Sequence, residues 1–282
     1  MRTARFLTVL TAAGGLLLAL TGATGPATAA TPRDSLLAGQ RITAGTTADH
    51  LESPSGEFTL TAYSAEVQLD QTVPFNAGDG GSYSQGTWFR NDASGKHNPD
   101  HDRTVLLLKR DGNLVLRLAN GTRLWASGTA GSGATKLRLT NGGNLVLLTA
   151  KGKQVWASGS GRAVIAAGET LGSGARLIDA WNTALGPKFH RQFLTMQKDG
   201  NLVYKCGGTV LWQTRTHVAG SRLEISLRES LRVRTPAGAV VWSSHNGTHA
   251  PGSVLKANMV EFEQMWPSFR TIWMPKLSTY CD

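Results

Sequence analysis

Three stretches of this 282-residue chain repeat one pattern: Leu106 to Gly128, Leu137 to Gly159 and Phe193 to Thr214. Each reads as a strand, a tight turn of the Asp-Gly or Gly-Gly kind, a Leu-Val strand, a second turn with Gly, and a last strand ending in Trp. One such unit cannot bury its own apolar face and must stack on its siblings, so the repeat constrains the architecture before any single residue is weighed. The turn dipeptides tolerate the positive φ that a two-residue hairpin needs. Helix-period patterns are absent, and short runs such as Thr104 to Leu108 lie between turn signals, so the chain is expected to be all-β.

The spacing of the units extends the pattern. Asn113 to Trp125 and Asn144 to Trp156 are twelve residues each, and Asn201 to Trp212 is eleven. The same interval finds weaker copies at Leu223 to Ser244, Val254 to Pro275 and Gly56 to Leu69, the last followed by Trp88 only after an insertion from Asn76 to Gly86. At the Asn position these copies carry Val67, Ser230 and Glu261 and read as scaffold. Trp88, Trp125 and Trp156 form one set of three, and Trp212, Trp242 and Trp273 another; the segment Ala163 to Leu177 between them echoes Ser35 to Ala44. Two domains of three units follow, over residues 31–160 and 161–282, each with its indoles meeting as core around a pseudo-threefold axis. Alternation puts Leu194, Met196, Leu202 and Tyr204 on the buried face, and Gln197, Asp199, Asn201 and Val203 on an outward, concave one.

Residues 1–30 read as a secretory signal, because Arg2 and Arg5 precede an apolar run from Phe6 to Leu20 and Ala27-Thr28-Ala29 offers a small-residue cleavage site. No later apolar stretch is long enough to span a bilayer, so a secreted, extracellular protein without membrane insertion is expected. Lys and Arg number 29 against 19 Asp and Glu, a surplus that favours anionic surfaces. The basic residues are scattered through strand-like segments without a reading helix or a basic run, which argues against nucleic acid and leaves acidic cell-wall polymer as a partner. Cys206 and Cys281 are the only cysteines, an even count in a secreted chain, and read as one disulfide. Closing so long a loop stabilises a fold by roughly 4–5 kcal/mol in the chain-entropy treatment.

The segment Gln197-Lys198-Asp199-Gly200-Asn201-Leu202-Val203 resembles the sugar signature Gln-x-Asp-x-Asn-x-Val-x-Tyr of the bulb-type, monocot mannose-binding lectins. Ser35 to Thr43, with Ser53 to Phe58, is similar to the opening of the same domain. The resemblance covers almost the whole chain after the signal. It implies two tandem β-prism (type II) domains, each of three four-stranded sheets with one possible sugar pocket per sheet, and no cofactor. A neutral sugar offers hydroxyls that donate and accept, so a pocket needs a carboxylate, amides and an apolar side chain against ring carbons. Asp199, Asn201 and Gln197 supply the polar groups and Val203 the apolar one; the resemblance gives Asp and Asn the axial 2-hydroxyl of mannose. The closing Tyr is replaced by Lys205, which would suit a sugar bearing negative charge. A second pocket keeps Asp111, Asn113 and Val115, with Lys109 and Arg117 in place of Gln and Tyr; the third retains only Asn144 and Val146.

The first expectation is therefore a lectin for mannose-like or anionic cell-surface polysaccharide or glycoconjugate, as a monomer or strand-exchanged dimer, with two domains acting together on a polyvalent surface. The size and tandem form also resemble lectin-like bacteriocins, which makes an antibacterial toxin the alternative, and a structural or protein-interaction module a third. The loop Lys96 to Asp102 gathers His97, Asp100, His101 and Asp102, but its spacing matches no metal motif and it reads as a solvated turn. Asn120-Gly-Thr and Asn246-Gly-Thr read as hairpin turns. With no nucleophile elbow or phosphate loop, and Glu169, Asp179, Glu224 and Glu229 spread over different units, the chain is not expected to be an enzyme.

Overall fold

The computed structural model describes residues 33–45, 49–64, 66–75, 80–91, 103–179, 191–227, 230–245, 252–257, 262–265 and 269–276. They form strands in six four-stranded antiparallel sheets, with no helix among them. The first sheet is β3 (His50–Glu52), β4 (Phe58–Tyr63), β5 (Glu66–Pro74) and β6 (Ser82–Asn91). The second is β2 (Arg41–Thr43), β7 (Thr104–Leu108), β8 (Leu114–Leu118) and β9 (Arg123–Ala126). The third is β1 (Ser35–Leu37), β10 (Ala134–Leu139), β11 (Leu145–Thr149) and β12 (Gln154–Ala157).

The second half of the chain repeats the plan. β15 (Arg176–Asp179), β16 (Gln192–Met196), β17 (Leu202–Cys206) and β18 (Thr209–Gln213) form one sheet. β14 (Thr170–Leu171), β19 (Arg222–Ile225), β20 (Leu231–Arg234) and β21 (Val240–Ser243) form another, and β13 (Val164–Ala166), β22 (Ser253–Lys256), β23 (Phe262–Gln264) and β24 (Arg270–Trp273) the last. In each half the opening segment deals one short strand to each of three sheets, which is why Ala163 to Leu177 echoes Ser35 to Ala44. The result is a pair of tandem β-prisms.

Alternation builds each core. On β4, Phe58, Leu60 and Ala62 turn inward while Thr59 and Thr61 stay half-buried on the other face. One apolar core joins residues from Leu36 to Leu147, and a second joins Ile165 to Phe262. The six Trp residues stand on the last strand of each sheet and meet in two trios: 6.0, 6.5 and 6.0 Å between centroids in the first prism, and 5.5, 5.5 and 5.7 Å in the second. Tilted and edge-on contacts of this kind add attraction beyond burial. Of these six, Trp88 is fully buried and the other five keep some exposure. Arg90 lies 4.8 Å above Trp88 and 5.6 Å above Trp125. Burial, together with nearby Arg191, pushes its guanidinium down to about 10, which leaves it charged at neutral pH.

The strand register corrects one sequence alignment. Leu69 faces Trp88 as Tyr204 faces Trp212, so Val67 corresponds to Leu202 and Glu66 to Asn201. Val67 is accordingly fully buried. The turn between β4 and β5 is shorter than the one between β16 and β17, and a one-residue slip moves a side chain to the other face. Glu261, Cys281, Glu229 and the Lys96 to Asp102 loop lie outside the described residues.

The insertion before Trp88 lengthens the β5–β6 hairpin, pairing Thr72 with Ser84, Val73 with Tyr83 and Pro74 with Ser82. Val73, Phe75 and Tyr83 pack there against Val164, Ala166 and Val254 of the second prism. Fully buried Gln71 closes the seam. Its Nε2 donates to Val164 O (2.8 Å) and Glu57 Oε1 (2.7 Å), and its Oε1 accepts from the N–H groups of Ala163 (2.7 Å) and Val164 (3.0 Å).

Candidate functional site

The β16–β17 turn carries the full signature. Gln197 N–H donates to Asn201 O (2.8 Å) and Gly200 N–H to Gln197 O (3.0 Å), which throws residues 198 and 199 outward. Gly200 has φ of 94°, and a Cβ there would stand 2.1 Å from Val218 O, so only glycine fits. Asp199 is exposed; its Oδ1 accepts from Asn201 N–H (3.0 Å), and among the described residues its second oxygen has no protein partner. Gln197 and Lys205 are half-buried, Lys205 standing on β17 opposite Phe193 of β16. Val203 is 2% exposed and therefore a floor rather than a wall. Tyr204 points to the opposite face, inside the core, and its hydroxyl donates to Gln192.

Asn201 is placed differently from Asp199. It is buried, its Oδ1 accepts from Thr214 Oγ1 (3.1 Å) and Arg215 N–H (2.9 Å), and its Nδ2 donates to Gln213 Oε1 (2.8 Å). The same clasp recurs in two other sheets: Asn113 Oδ1 accepts from Ser127 Oγ (3.1 Å) and Thr129 N–H (3.2 Å), and Asn144 Oδ1 from Ser158 Oγ (2.9 Å) and Gly159 N–H (3.1 Å). A second hydroxyl completes it, Thr129, Ser160 or Thr216 donating to the carbonyl of Gly112, Gly143 or Gly200 at 2.8, 2.7 and 2.6 Å. The repeated Asn thus ties each central turn to the chain just after the Trp. Sequence reasoning missed this job, although the Ser/Thr-x-Ser/Thr triplet following Trp125, Trp156 and Trp212 signals it.

The Asp111 unit differs in charge. Lys109 Nζ lies 2.6 Å from Asp111 Oδ2, and Asn113 N–H donates to Oδ1 at 2.9 Å. These two donors, Lys109 first, hold the exposed Asp111 carboxyl below the usual carboxylate range. Val115 is 7% exposed, and Arg117 Nε is buried with no hydrogen-bond partner among the described residues. The three pockets therefore differ: one open carboxylate at Asp199, one neutralised at Asp111, and none beside Asn144, where Gly142 takes its place. A cleft of about 420 Å³ adjoins the Asn201 clasp, lined by Val210, Trp212, Gln213, Arg215 and Lys276 among others.

The fold and these turns define a tandem all-β prism with polar turns on its outer faces. No protein-family model matches the sequence, and no curated protein does. Among solved structures, the chain is similar to a fetuin-binding two-domain lectin, the agglutinin of Scilla campanulata, at 23% identity over 54% of this chain and 81% of that one, with a TM-score of 0.27. A lectin from Allium sativum matches at 21% identity over 42% of this chain and all 100% of that one, with a TM-score of 0.29. Tarin lectin, solved with trimannose, matches at 27% identity over 33% and 78%, with a TM-score of 0.27.

Proposed function

We propose that this chain is a secreted, non-catalytic carbohydrate-binding protein whose principal site is the β16–β17 hairpin, with Gln197 and Asp199 at its turn, Lys205 on β17 and Val203 as floor. The observation that carries the reading is the exposed Asp199 carboxylate, oriented by Asn201 N–H at 3.0 Å and otherwise uncommitted among the described residues. A carboxylate held this way accepts from a sugar hydroxyl, Gln197 bonds a neighbouring one, and Lys205 suits a ring that carries an anionic group. Asn201 acts by holding the turn. The Asp111 pocket, its carboxylate already taken by Lys109, is the weaker site.

The wider reading keeps residues 1–30 as an export signal, 31–160 and 161–282 as two lectin domains, and Cys206 with Cys281 as a disulfide. Burial of Cys206 (6% exposed) and the lack of any free thiol among the described residues support the pairing. Shallow sites bind singly with low affinity, so polyvalent cell-surface polysaccharide is the natural target. The toxin alternative rests on resemblance alone, and an assay for growth inhibition of related bacteria addresses it.

The test is a glycan array probed with the parent protein and with Gln197→Ala, Asp199→Ala. Asp199 is exposed and Gln197 half-buried outside the apolar core, so the variant keeps the fold, and its signal on mannose-containing or anionic glycans falls at least tenfold. Equal signals from the two would remove this turn as the site. An array blank for the parent would remove the lectin reading.

A further inference from the structure

The outward face of the β3–β6 sheet carries a row of polar side chains that the repeat pattern does not require. Thr61 stands opposite Gln68 and Thr59 opposite Asp70, with Thr72 next along β5. All are half-buried, because Leu60, Ala62, Val67 and Leu69 take the alternate positions inside. Asp70 Oδ1 accepts from Gln68 Nε2 at 2.5 Å, the one hydrogen bond it makes among the described residues, and no cation there pairs with it. Burial raises its carboxyl above the ordinary range. A half-buried carboxylate with one amide donor and no cation beside it costs the fold more than that donor returns, and such groups are candidates for ligand contact. Across the sheet Asp70 faces Gly86 at a bulge, so the residue opposite it has no side chain.

In register, Gln68 and Asp70 flank the residue facing Trp88 as Val203 and Lys205 flank the residue facing Trp212. Their chemistry is new to that position, so a search by signature spacing passes over them. The face runs about 13 Å along β5 from Gln68 to Thr72. It ends in a cleft of about 260 Å³ at the seam, lined by Glu57, Thr72 and Pro74 of the first prism and Arg162 and Glu169 of the second. Arg162 holds Glu57 at 2.7 Å and Glu169 at 3.0 Å.

We propose that this face and its cleft form a second binding groove, for a linear neutral oligosaccharide that spans both prisms. Hydroxyls of one ring bond Asp70, Gln68 and Thr59, and the next rings reach the Glu57–Arg162–Glu169 network. Asp70, Glu57 and Glu169, with Glu52 opposite Thr59 on the same face, outnumber the one guanidinium and disfavour an anionic chain, and among the described residues no three acidic or imidazole groups gather to hold a metal ion. The other outward faces of the second prism are less suited: β19 and β20 bring Arg234 to Glu224 at 2.6 Å, and β13 with β22 lies under the β5–β6 hairpin. The groove stands on its own geometry and does not depend on Asp199.

The experiment is an amide NMR titration of the full secreted protein with linear hexasaccharides of mannose, glucose and N-acetylglucosamine, repeated with Asp70→Asn and with Asp199→Ala. At least one hexamer shifts the amides of Thr59, Gln68 to Thr72 and Arg162. It binds at least tenfold less tightly to Asp70→Asn and equally to Asp199→Ala, and its monosaccharide binds at least tenfold less tightly to the parent. Asp70→Asn is at least as heat-stable as the parent at pH 7, because a raised acid destabilises only when ionised, and the margin closes as pH falls through that raised pKa. The charged groups on this sheet are His50 and Glu52 of β3, Glu57 ahead of β4, Glu66 of β5 itself and Arg90 of β6, and the substitution leaves them in place. Shifts confined to Gln197 to Lys205 overturn the groove and leave the Asp199 site standing. Shifts confined to the β4–β5 face that spare Arg162 overturn the span across both prisms, and the Asp199 site is decided by the glycan array. A parent that shifts with none of the hexamers overturns the groove.

Discussion

Asn113, Asn144 and Asn201 occupy equivalent places and share one structural job, yet only Asp199 and Asp111 stand beside them as carboxylates. The Asn144 unit separates the clasp from sugar chemistry, since Gly142 replaces the acid there. Removing the Asn144 amide strands Ser158 Oγ and Gly159 N–H, which it holds at 2.9 and 3.1 Å. Asn144→Ala should therefore lower stability by about 1–3 kcal/mol, read as an earlier urea midpoint, and leave glycan binding unchanged. A midpoint equal to the parent's would show the clasp to be decorative. This residue also marks where the sequence stopped being informative. Gln197, Asp199 and Lys205 were legible as a polar set on one face, but a turn-closing Asn and a sugar-binding Asn look alike at the same spacing. Only the hydroxyls after each Trp distinguish them, and these lie more than ten residues away.

At the scale of strands, the three strong copies were legible because an indole, a Gly-containing turn and a Leu-Val pair recur together. The first strand of each sheet was not, since two to four residues such as Thr170–Leu171 carry no period to read. The weak first copy was recognised as a unit but misregistered at Val67, because its turn is shorter than the signature turn. Turn geometry itself is testable with two glycines. Gly200 and Gly238 both have positive φ, 94° and 88°, but a Cβ on Gly200 would meet Val218 O at 2.1 Å whereas one on Gly238 meets nothing within 4 Å. Gly238→Ala should cost about 1 kcal/mol, the strain of a left-handed alanine, and Gly200→Ala about 3 kcal/mol or more, because backbone must move. Denaturant melts of the two variants check the ranking, and equal losses would mean that the Val218 segment yields freely.

Across the whole molecule, the seam decides whether two prisms behave as one body. Gln71 stands on the inward parity of β5 with Val67, Leu69 and Val73, a polar residue in an apolar series. It was not singled out in the sequence, and its partners lie out of local reach, because Ala163 and Val164 are some ninety residues on. Both amide donors and both acceptor lone pairs of Gln71 are used, and three of the four bonds cross to the second prism. The β5–β6 extension adds apolar contact through Val73, Phe75 and Tyr83. A groove shared by both prisms needs this rigidity, since Arg162 and Glu169 meet the Asp70 face only while the seam is closed. Gln71→Ala leaves buried Ala163 and Val164 backbone groups without partners, a loss of about 2–4 kcal/mol concentrated at the junction. Calorimetry should show a single cooperative transition for the parent and two resolved transitions for the variant, as each core melts alone. Two transitions already in the parent would show that the prisms unfold independently, and the seam would then not hold the groove together.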